Sequence, residues 1–562
     1  MISRIRFGIL APLLFALAVG SPITAKAQGV VSAADPRASE AGVAMLREGG
    51  SATDAALAMM VTLTVVEPQS SGIGGGGFFV HHDARQGLID TIDGRERAPS
   101  NATPDRFLGT DGKPRDHADV YPGGLSVGVP GNIRLMADAH RRWGKLPWAR
   151  LFDHAIRHAE QGFAVSPMMA RFIASANPRW RDFPETQALY APGGRPLSEG
   201  ATIRNPELAR LLKRIASEGP DAFYHGENAN AIIAAVGGSR RNPATLTTAD
   251  IASYAATSRN AVCVRYRVYK ICGMGPPSSG ATTVFGILGM IERFDIGAMG
   301  ARSPEAWHVI AEAMRLSYAD RDHYIGDPDF VSVPLTGMID PGYLASRSRL
   351  IRSDRAARSV RHGVPPGAAP RGAPTRSTEA GTTHFSAVDA QGNVVAMTST
   401  IESVWGSQLV ASGMMLNNEL TDFSLQPERD GLPVANRVEG GKRPLSSMSP
   451  TIVYDANDRP VLALGSAGGP RIIMHVTKTL IGVLDFGLSA QDAIALPNLF
   501  FDGNTILMEP SGDTERLLAG LRAKGHSARE APIGSKVNAV QRVDGRWTGA
   551  ADPRSEGVAI VQ

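Results

Sequence analysis

The stretch TTHFSAVDAQGNVVAMTST, residues 382–400, dictates its own pairing more tightly than any other part of the chain. On either side of DAQGN the residues alternate in strand fashion and are rich in Val and Thr. The DAQGN segment fits a three-residue hairpin loop with Gly392 in the left-handed position. Pairing Asp389 with Asn393 then sets every other pair, and Thr382 falls opposite Thr400. Directly opposed residues hold their Cβ atoms about 5 Å apart, within reach of hydroxyl contact. A slip by one residue would undo that opposition. The plain alternative is a surface hairpin that carries threonines because threonine favours strands.

A threonine hydroxyl is a weak nucleophile without a base beside it. An N-terminal threonine carries its own base, an α-amine of pKa about 8. That solution requires a cut before Thr382. Upstream, Ser353 to Ala380 is rich in Arg, Pro, Gly, Ser and Ala without an apolar period, and reads as loop or linker. The carbonyl of Gly381 is sterically open to attack. On this reading Thr382 first attacks Gly381, which frees its own amine, and later attacks a substrate. Thr400 orients the hydroxyl or the amine.

Downstream, TIVYDANDRPVLALGSAGGPRIIMHVTKTLIGVLDFG reads as strand, turn, strand, glycine pair and helix. Pro470 suits a first helical residue and Gly487 a stop. Gly468 and Gly469 then lie at a helix N-terminus, where N–H groups point outward and can stabilise an oxyanion. KRPLSSMSP supplies Ser446 and Ser447, two adjacent donors for a carboxylate, and NNELTDFS supplies Glu419 and Asp422, two acids for an ammonium group.

The N-terminal half is more ordinary. PRASEAGVAMLREGG reads as a short amphipathic helix stopped by Gly49 and Gly50, followed by a helix capped at Ser51 or Thr53 and apolar nearly all round. Gly72 to Gly77 match G-x-G-x-x-G, but in the order helix, loop, strand. A dinucleotide site needs strand, loop, helix, so close backbone packing is the better reading. His154 and His158 share a helix face with Glu160 near, but H-E-x-x-H is absent, and a solvated or capping role is expected. PPSSGATT, Pro276 to Thr283, lacks the G-x-S-x-G elbow and reads as a strand-to-helix turn. No motif asks for a metal or an organic cofactor.

Residues 1–27 have a basic start, an apolar run and a small-residue site ending at Ala27, the layout of a secretory signal. The run is too short for a stable transmembrane helix, although an uncleaved anchor is the alternative. A periplasmic or secreted protein without a membrane span is expected. The remaining length exceeds one ordinary core, so two domains or two interleaved layers are expected. Lys and Arg number 58 against 54 Asp and Glu, with no basic run, which excludes a nucleic-acid footprint. The two cysteines, Cys263 and Cys272, are too few for a metal site; a disulfide across a short hairpin is open to them.

Taken together, GIGGGGFF, DGRERAP, PPSSG, TTHFSAVDAQGN, NNELTDFS, KRPLSSMSPTIV and GSAGGPR, in this order, resemble the γ-glutamyltranspeptidase (glutathione hydrolase) family of N-terminal nucleophile hydrolases. The resemblance implies an α+β fold, a four-layer αββα sandwich shared by a large chain, 28–381, and a small chain, 382–562, cut from one precursor. It implies Thr382 as nucleophile, Thr400 as its hydroxyl partner, and Gly468 and Gly469 as oxyanion donors. Arg95, Ser446 and Ser447 would clamp the substrate α-carboxylate, and Glu419 and Asp422 the α-amino group. A γ-glutamyl ester on Thr382, from glutathione or a related compound, would pass to water or to an amino-acid or peptide acceptor. Two departures stand out. Glu402 replaces an amide that binds the α-amino group in well-studied members, and LQPERDGLPVANRVEGG is shorter than the usual lid and lacks its tyrosine. A more open cleft predicts hydrolysis over transfer. The competing readings are a glutaryl-cephalosporin acylase of the same fold and, from another class, an uncleaved binding protein for amino-acid-like ligands.

Overall fold

The computed structural model of the chain describes residues 28–374 and 381–562. The leader and the last residues of the linker, 375–380, lie outside the described residues, and from Ser353 to 374 the chain forms no helix or strand.

Two antiparallel sheets stack face to face. The first runs, edge to edge, Val558–Val561, Val30–Ala33, Thr383–Val388, Val394–Thr400, Gly76–Asp83, Leu88–Asp93 and Thr257–Arg259. The second runs Arg546–Ala551, Asn538–Val543, Pro460–Gly465, Thr451–Tyr454, Tyr269–Gly273 and Val262–Tyr266. Helices cover both outer faces, which gives the four-layer αββα sandwich.

The hairpin takes the register that its turn predicts. Val388 pairs with Val394 and Thr383 with Ser399, the Asp389 N–H donates to the Asn393 carbonyl, and Gly392 has φ 88°. Its setting differs from a surface hairpin. Both strands are buried along their whole length, because they are central strands with a layer on each face. The period of two sorts their side chains. Phe385, Ala387, Val395 and Met397 join the core under the helices, whereas Val388, Val394 and Ala396 join the core between the sheets. Polar residues in the inter-sheet layer are satisfied locally: His384 bonds Thr398 Oγ1 at 2.8 Å and Ser386 Oγ at 3.0 Å. Burial pushes the His384 imidazole down to about 3, so it is neutral.

Local signals set the helical layer. Asp35 caps Pro36–Arg47, and Gly49 at φ 88° turns the chain out of it. Ser51, rather than Thr53, caps Ala52–Val66 in a reciprocal box with Asp54, and all 15 residues of that apolar helix are buried against the central hairpin. On the other outer face Gly280–Ile291, Pro304–Tyr324 and Arg471–Leu484 pack together over the second sheet. PPSSGATT is the connection from Tyr269–Gly273 into Gly280–Ile291, as its sequence suggests. Cys263 and Cys272 face each other across the Val262–Tyr266/Tyr269–Gly273 hairpin and are bonded.

Candidate active site

The two threonines meet at the end of the hairpin, where Thr382 Oγ1 lies 3.0 Å from Thr400 Oγ1. Thr400 Oγ1 also accepts the Glu402 N–H at 2.8 Å, which fixes the hydroxyl from behind. Both threonines are buried, unlike those of a surface hairpin. The peptide before Thr382 is held on both sides. The Gly381 N–H donates to the Glu402 carbonyl at 2.7 Å, and the Thr382 N–H donates to the Ser70 carbonyl at 3.0 Å. Thr382 has φ 103°, a conformation that costs a β-branched residue about 1–3 kcal/mol. A side chain at Gly381 would run into the Glu402 carbonyl, so only glycine fits there.

The Gly468 N–H donates to the Gly381 carbonyl at 3.3 Å. The oxyanion donor expected from sequence therefore already points at the carbonyl that Thr382 would attack. Gly468 and Gly469 have φ 120° and 60°, and the helix Arg471–Leu484 follows directly. Pro470 is the cap of that helix and not its first turn, one residue off the sequence reading, because Gly469 is still left-handed. The glycine loop before Gly76–Asp83 has the packing role expected of it. A Cβ on Gly75 would overlap the Thr400 carbonyl oxygen, and one on Gly74 the Met415 carbonyl oxygen.

Replacing Thr400 by valine keeps the shape but removes the hydroxyl and leaves the Glu402 N–H unpaired. A lost buried hydrogen bond of about 1–3 kcal/mol predicts a slowing of chain cutting at 381–382 by about 5- to 150-fold in Thr400→Val, read from a gel time course.

Two of the expected recognition residues, Glu419 and Asp422, hold the guanidinium of a third, Arg95. Arg95 donates to Glu419 Oε1 and Asp422 Oδ2, and also to the carbonyls of Pro444 at 3.2 Å and Leu445 at 2.6 Å. Its fork is thus paired with the very acids expected to hold the ammonium, since buried opposite charges neutralise one another. Ser446 Oγ accepts the Met448 N–H at 3.2 Å, and Ser447 Oγ accepts from Arg321 at 2.6 Å. Asn418 donates to Glu402 Oε2. Burial holds Glu419 well above the usual carboxylate range and pushes Glu96 up to about 7. Glu96, Glu419 and Asp422 thus crowd around Arg95, with more carboxylates than the one guanidinium can balance.

Sequence reasoning missed several neighbours. Glu96 and Asn418 sit inside motifs already quoted, one residue from Arg95 and from Glu419. Arg321, on Pro304–Tyr324, is 126 residues from Ser447 and has no local signature. Elsewhere, His154 and His158 lie on Asp153–Gln161, and Glu160 pairs with Lys213. Among the described residues no cluster of three or more His, Cys, Asp or Glu is arranged to hold a metal. The segment expected to serve as a short lid contains a two-stranded hairpin, Glu428–Arg429 with Leu432–Pro433, largely exposed.

Comparison with known proteins gives one consistent result. The family model described as gamma-glutamyltranspeptidase matches residues 38–562. The glutathione hydrolase proenzyme of Bacillus subtilis (strain 168) is 36% identical over 551 residues, which are 95% of this chain and 91% of the relative. The acylase ACY 1 proenzyme of Pseudomonas sp. (strain SE83) is 35% identical over 95% of this chain and 93% of its own length. Among solved structures, the cephalosporin acylase from Bacillus halodurans superposes with a TM-score of 0.85 at 25% identity, covering 98% of this chain and 99% of that one.

Proposed function

This chain belongs to the γ-glutamyltranspeptidase family, and from that premise we propose that it is a self-cleaving enzyme that splits the γ-glutamyl amide bond of glutathione and related compounds. One observation supports this above the rest: the Gly381–Thr382 peptide is flanked by two hydrogen bonds, Thr382 Oγ1 with Thr400 Oγ1 on one side and the Gly468 N–H to the Gly381 carbonyl on the other.

The proposed maturation begins when Thr382 Oγ1 attacks the Gly381 carbonyl carbon, with the oxyanion held by the Gly468 N–H. As the peptide C–N bond breaks, the hydroxyl proton of Thr382 passes to the nitrogen, which leaves as a free α-amine while Gly381 becomes an ester on Thr382 Oγ1. Water hydrolyses the ester and releases chains ending at Gly381 and starting at Thr382. In the mature enzyme the Thr382 amine takes the proton of its own hydroxyl as Oγ1 attacks the substrate γ-carbonyl, then hands it to the leaving amine. The γ-glutamyl ester passes to water or to an acceptor amine. Arg95, Ser446 and Ser447 would receive the α-carboxylate, and Glu419, Asp422 and Glu402 the ammonium. A substrate zwitterion supplies both partners of the internal Arg95–acid pairing and so replaces it charge for charge.

The acid-rich cleft also separates this reading from the acylase one, because a glutaryl group has no ammonium to offer. Turnover of γ-glutamyl-p-nitroanilide should exceed that of glutaryl-p-nitroanilide by about 10- to 150-fold, the worth of one buried charged contact; the reverse preference would make the chain an acylase. With a short, exposed lid, glutamate release should exceed transfer to glycylglycine, and predominant transfer would refute the open-cleft reading. A gel with N-terminal sequencing tests processing: two chains, one beginning TTHFS, are expected in place of a single uncut chain. A periplasmic or secreted location is proposed from residues 1–27 and from the Cys263–Cys272 bond, which suits an oxidising compartment. Among the described residues no helix is long and apolar enough to cross a membrane.

A further inference from the structure

On the face of the hairpin turned towards the helices, an ion pair lies behind the nucleophile and takes no part in the steps above. Glu67 ends the helix Ala52–Val66, and Lys536 precedes the strand Asn538–Val543 of the second sheet. Lys536 Nζ donates to Glu67 Oε1 at 2.6 Å and to Ser70 Oγ at 2.9 Å. Thr383 Oγ1 donates to Glu67 Oε2 at 2.5 Å, and the Ser70 carbonyl accepts the Thr382 N–H at 3.0 Å. The pair therefore grips both neighbours of the Thr382 nitrogen, one in the chain and one across a hydrogen bond. The side chains are 14% and 6% exposed for Lys536 and Glu67, so water screens them weakly. Because Lys536 Nζ and the Thr382 nitrogen both bond to Ser70, they lie within about 9 Å of each other.

We propose that Glu67 and Lys536 are paired positioning residues that hold the freed α-amine of Thr382 towards its hydroxyl and balance the charge around it, so that the amine meets substrate unprotonated. This rests on the reading of Thr382 as its own base. An amine acts as a base only when neutral. A lone carboxylate nearby would keep it protonated and a lone ammonium would strip its proton, whereas the two together nearly cancel. Other charged groups near the site have partners of their own, among them Arg471, beside Gly468, which donates to the Ile533 carbonyl at 3.1 Å. Glu402, beyond Thr400, is bonded to Asn418, and Glu419 and Asp422 pair with Arg95 across the cleft. His384 on the same strand and His475 beneath Gly468 are held neutral by burial. Among the described residues, Glu67 and Lys536 are the charged side chains bonded directly to Thr383 and Ser70.

The test is the pH dependence of kcat/KM on purified, cut enzyme, whose acidic limb follows the free enzyme's base. Lys536→Met leaves Glu67 unpaired and should move that limb up by about 0.5–1 pH unit, while Glu67→Gln leaves Lys536 unpaired and should move it down by about as much. On the limb this is about a 3- to 10-fold change in rate in opposite directions. Lys536→Arg keeps the charge and should restore the wild-type limb. Lower rates with an unmoved limb, shifts of the same sign, or failure of both neutral variants to be cut would overturn the proposal; if one variant is cut, its limb decides. A wild-type small chain that does not begin at Thr382 would instead overturn the self-base reading itself.

Discussion

Thr382→Ala leaves the protein as one uncut chain and lowers γ-glutamyl-p-nitroanilide turnover by at least about 10⁴-fold, the scale set by removing a nucleophile that acts as a unit with its base. The two losses have one origin. Without the hydroxyl nothing attacks the Gly381 carbonyl, so no free amine appears and no base exists for later turnover. Folding should survive, because alanine removes a hydroxyl whose partner, Thr400, keeps its bond from the Glu402 N–H. Alanine also relieves a β-branched side chain at φ 103°. The uncut variant should therefore melt no lower than wild-type precursor. Thr382→Ser keeps an attacking oxygen and should be cut, more slowly, to a small chain beginning with serine. Normal cutting in Thr382→Ala would place the nucleophile elsewhere.

Gly468→Ala should slow both chain cutting and turnover by about 10²–10³-fold, the usual loss for one oxyanion donor, or roughly 3–4 kcal/mol. Crowding is not the cause, since the nearest atom to an added Cβ is His475 Cε1 at 3.5 Å, an ordinary contact. The cause is φ 120°, which glycine adopts freely and alanine does not. To accept alanine the turn must change φ, and that swings the N–H away from the Gly381 carbonyl. The helix Arg471–Leu484 and the core beneath it are untouched, so secondary structure and KM should stay close to wild type while kcat falls. The appearance of the two chains over time and single-turnover kinetics measure the two effects separately. A cutting rate equal to wild type would remove Gly468 from the oxyanion role.

Features that depend on neighbouring residues were legible in the sequence. DAQGN and a period of two were enough to set the hairpin register and the Thr382–Thr400 contact. Ser51 or Thr53 announced a capped helix, and the glycine loop announced close packing. What failed was burial. Threonine-rich strands look the same in one chain whether they face water or a second sheet, and only the stacking of Pro460–Gly465 and Asn538–Val543 on the hairpin decides it. The recognition pocket shows the same limit. Its residue types were readable, but the pairing of Arg95 with Glu419 and Asp422 was not, because buried charges choose partners by proximity in space. Glu67 and Lys536, 469 residues apart, carry no pattern that a linear reading detects.

The strand order of the first sheet has a consequence beyond catalysis. Val30–Ala33 is clasped between Val558–Val561 and Thr383–Val388, and Gly76–Asp83 lies against Val394–Thr400, so a cut at residue 381 would leave two polypeptides woven through one another. Neither fragment could leave without tearing a ladder on both of its sides, which makes dilution harmless to the native assembly. Once melted, though, the halves would have to find each other again by diffusion, and the precursor's easy route home would be gone. Maturation would then act as a ratchet, exchanging reversibility for a permanently armed terminus.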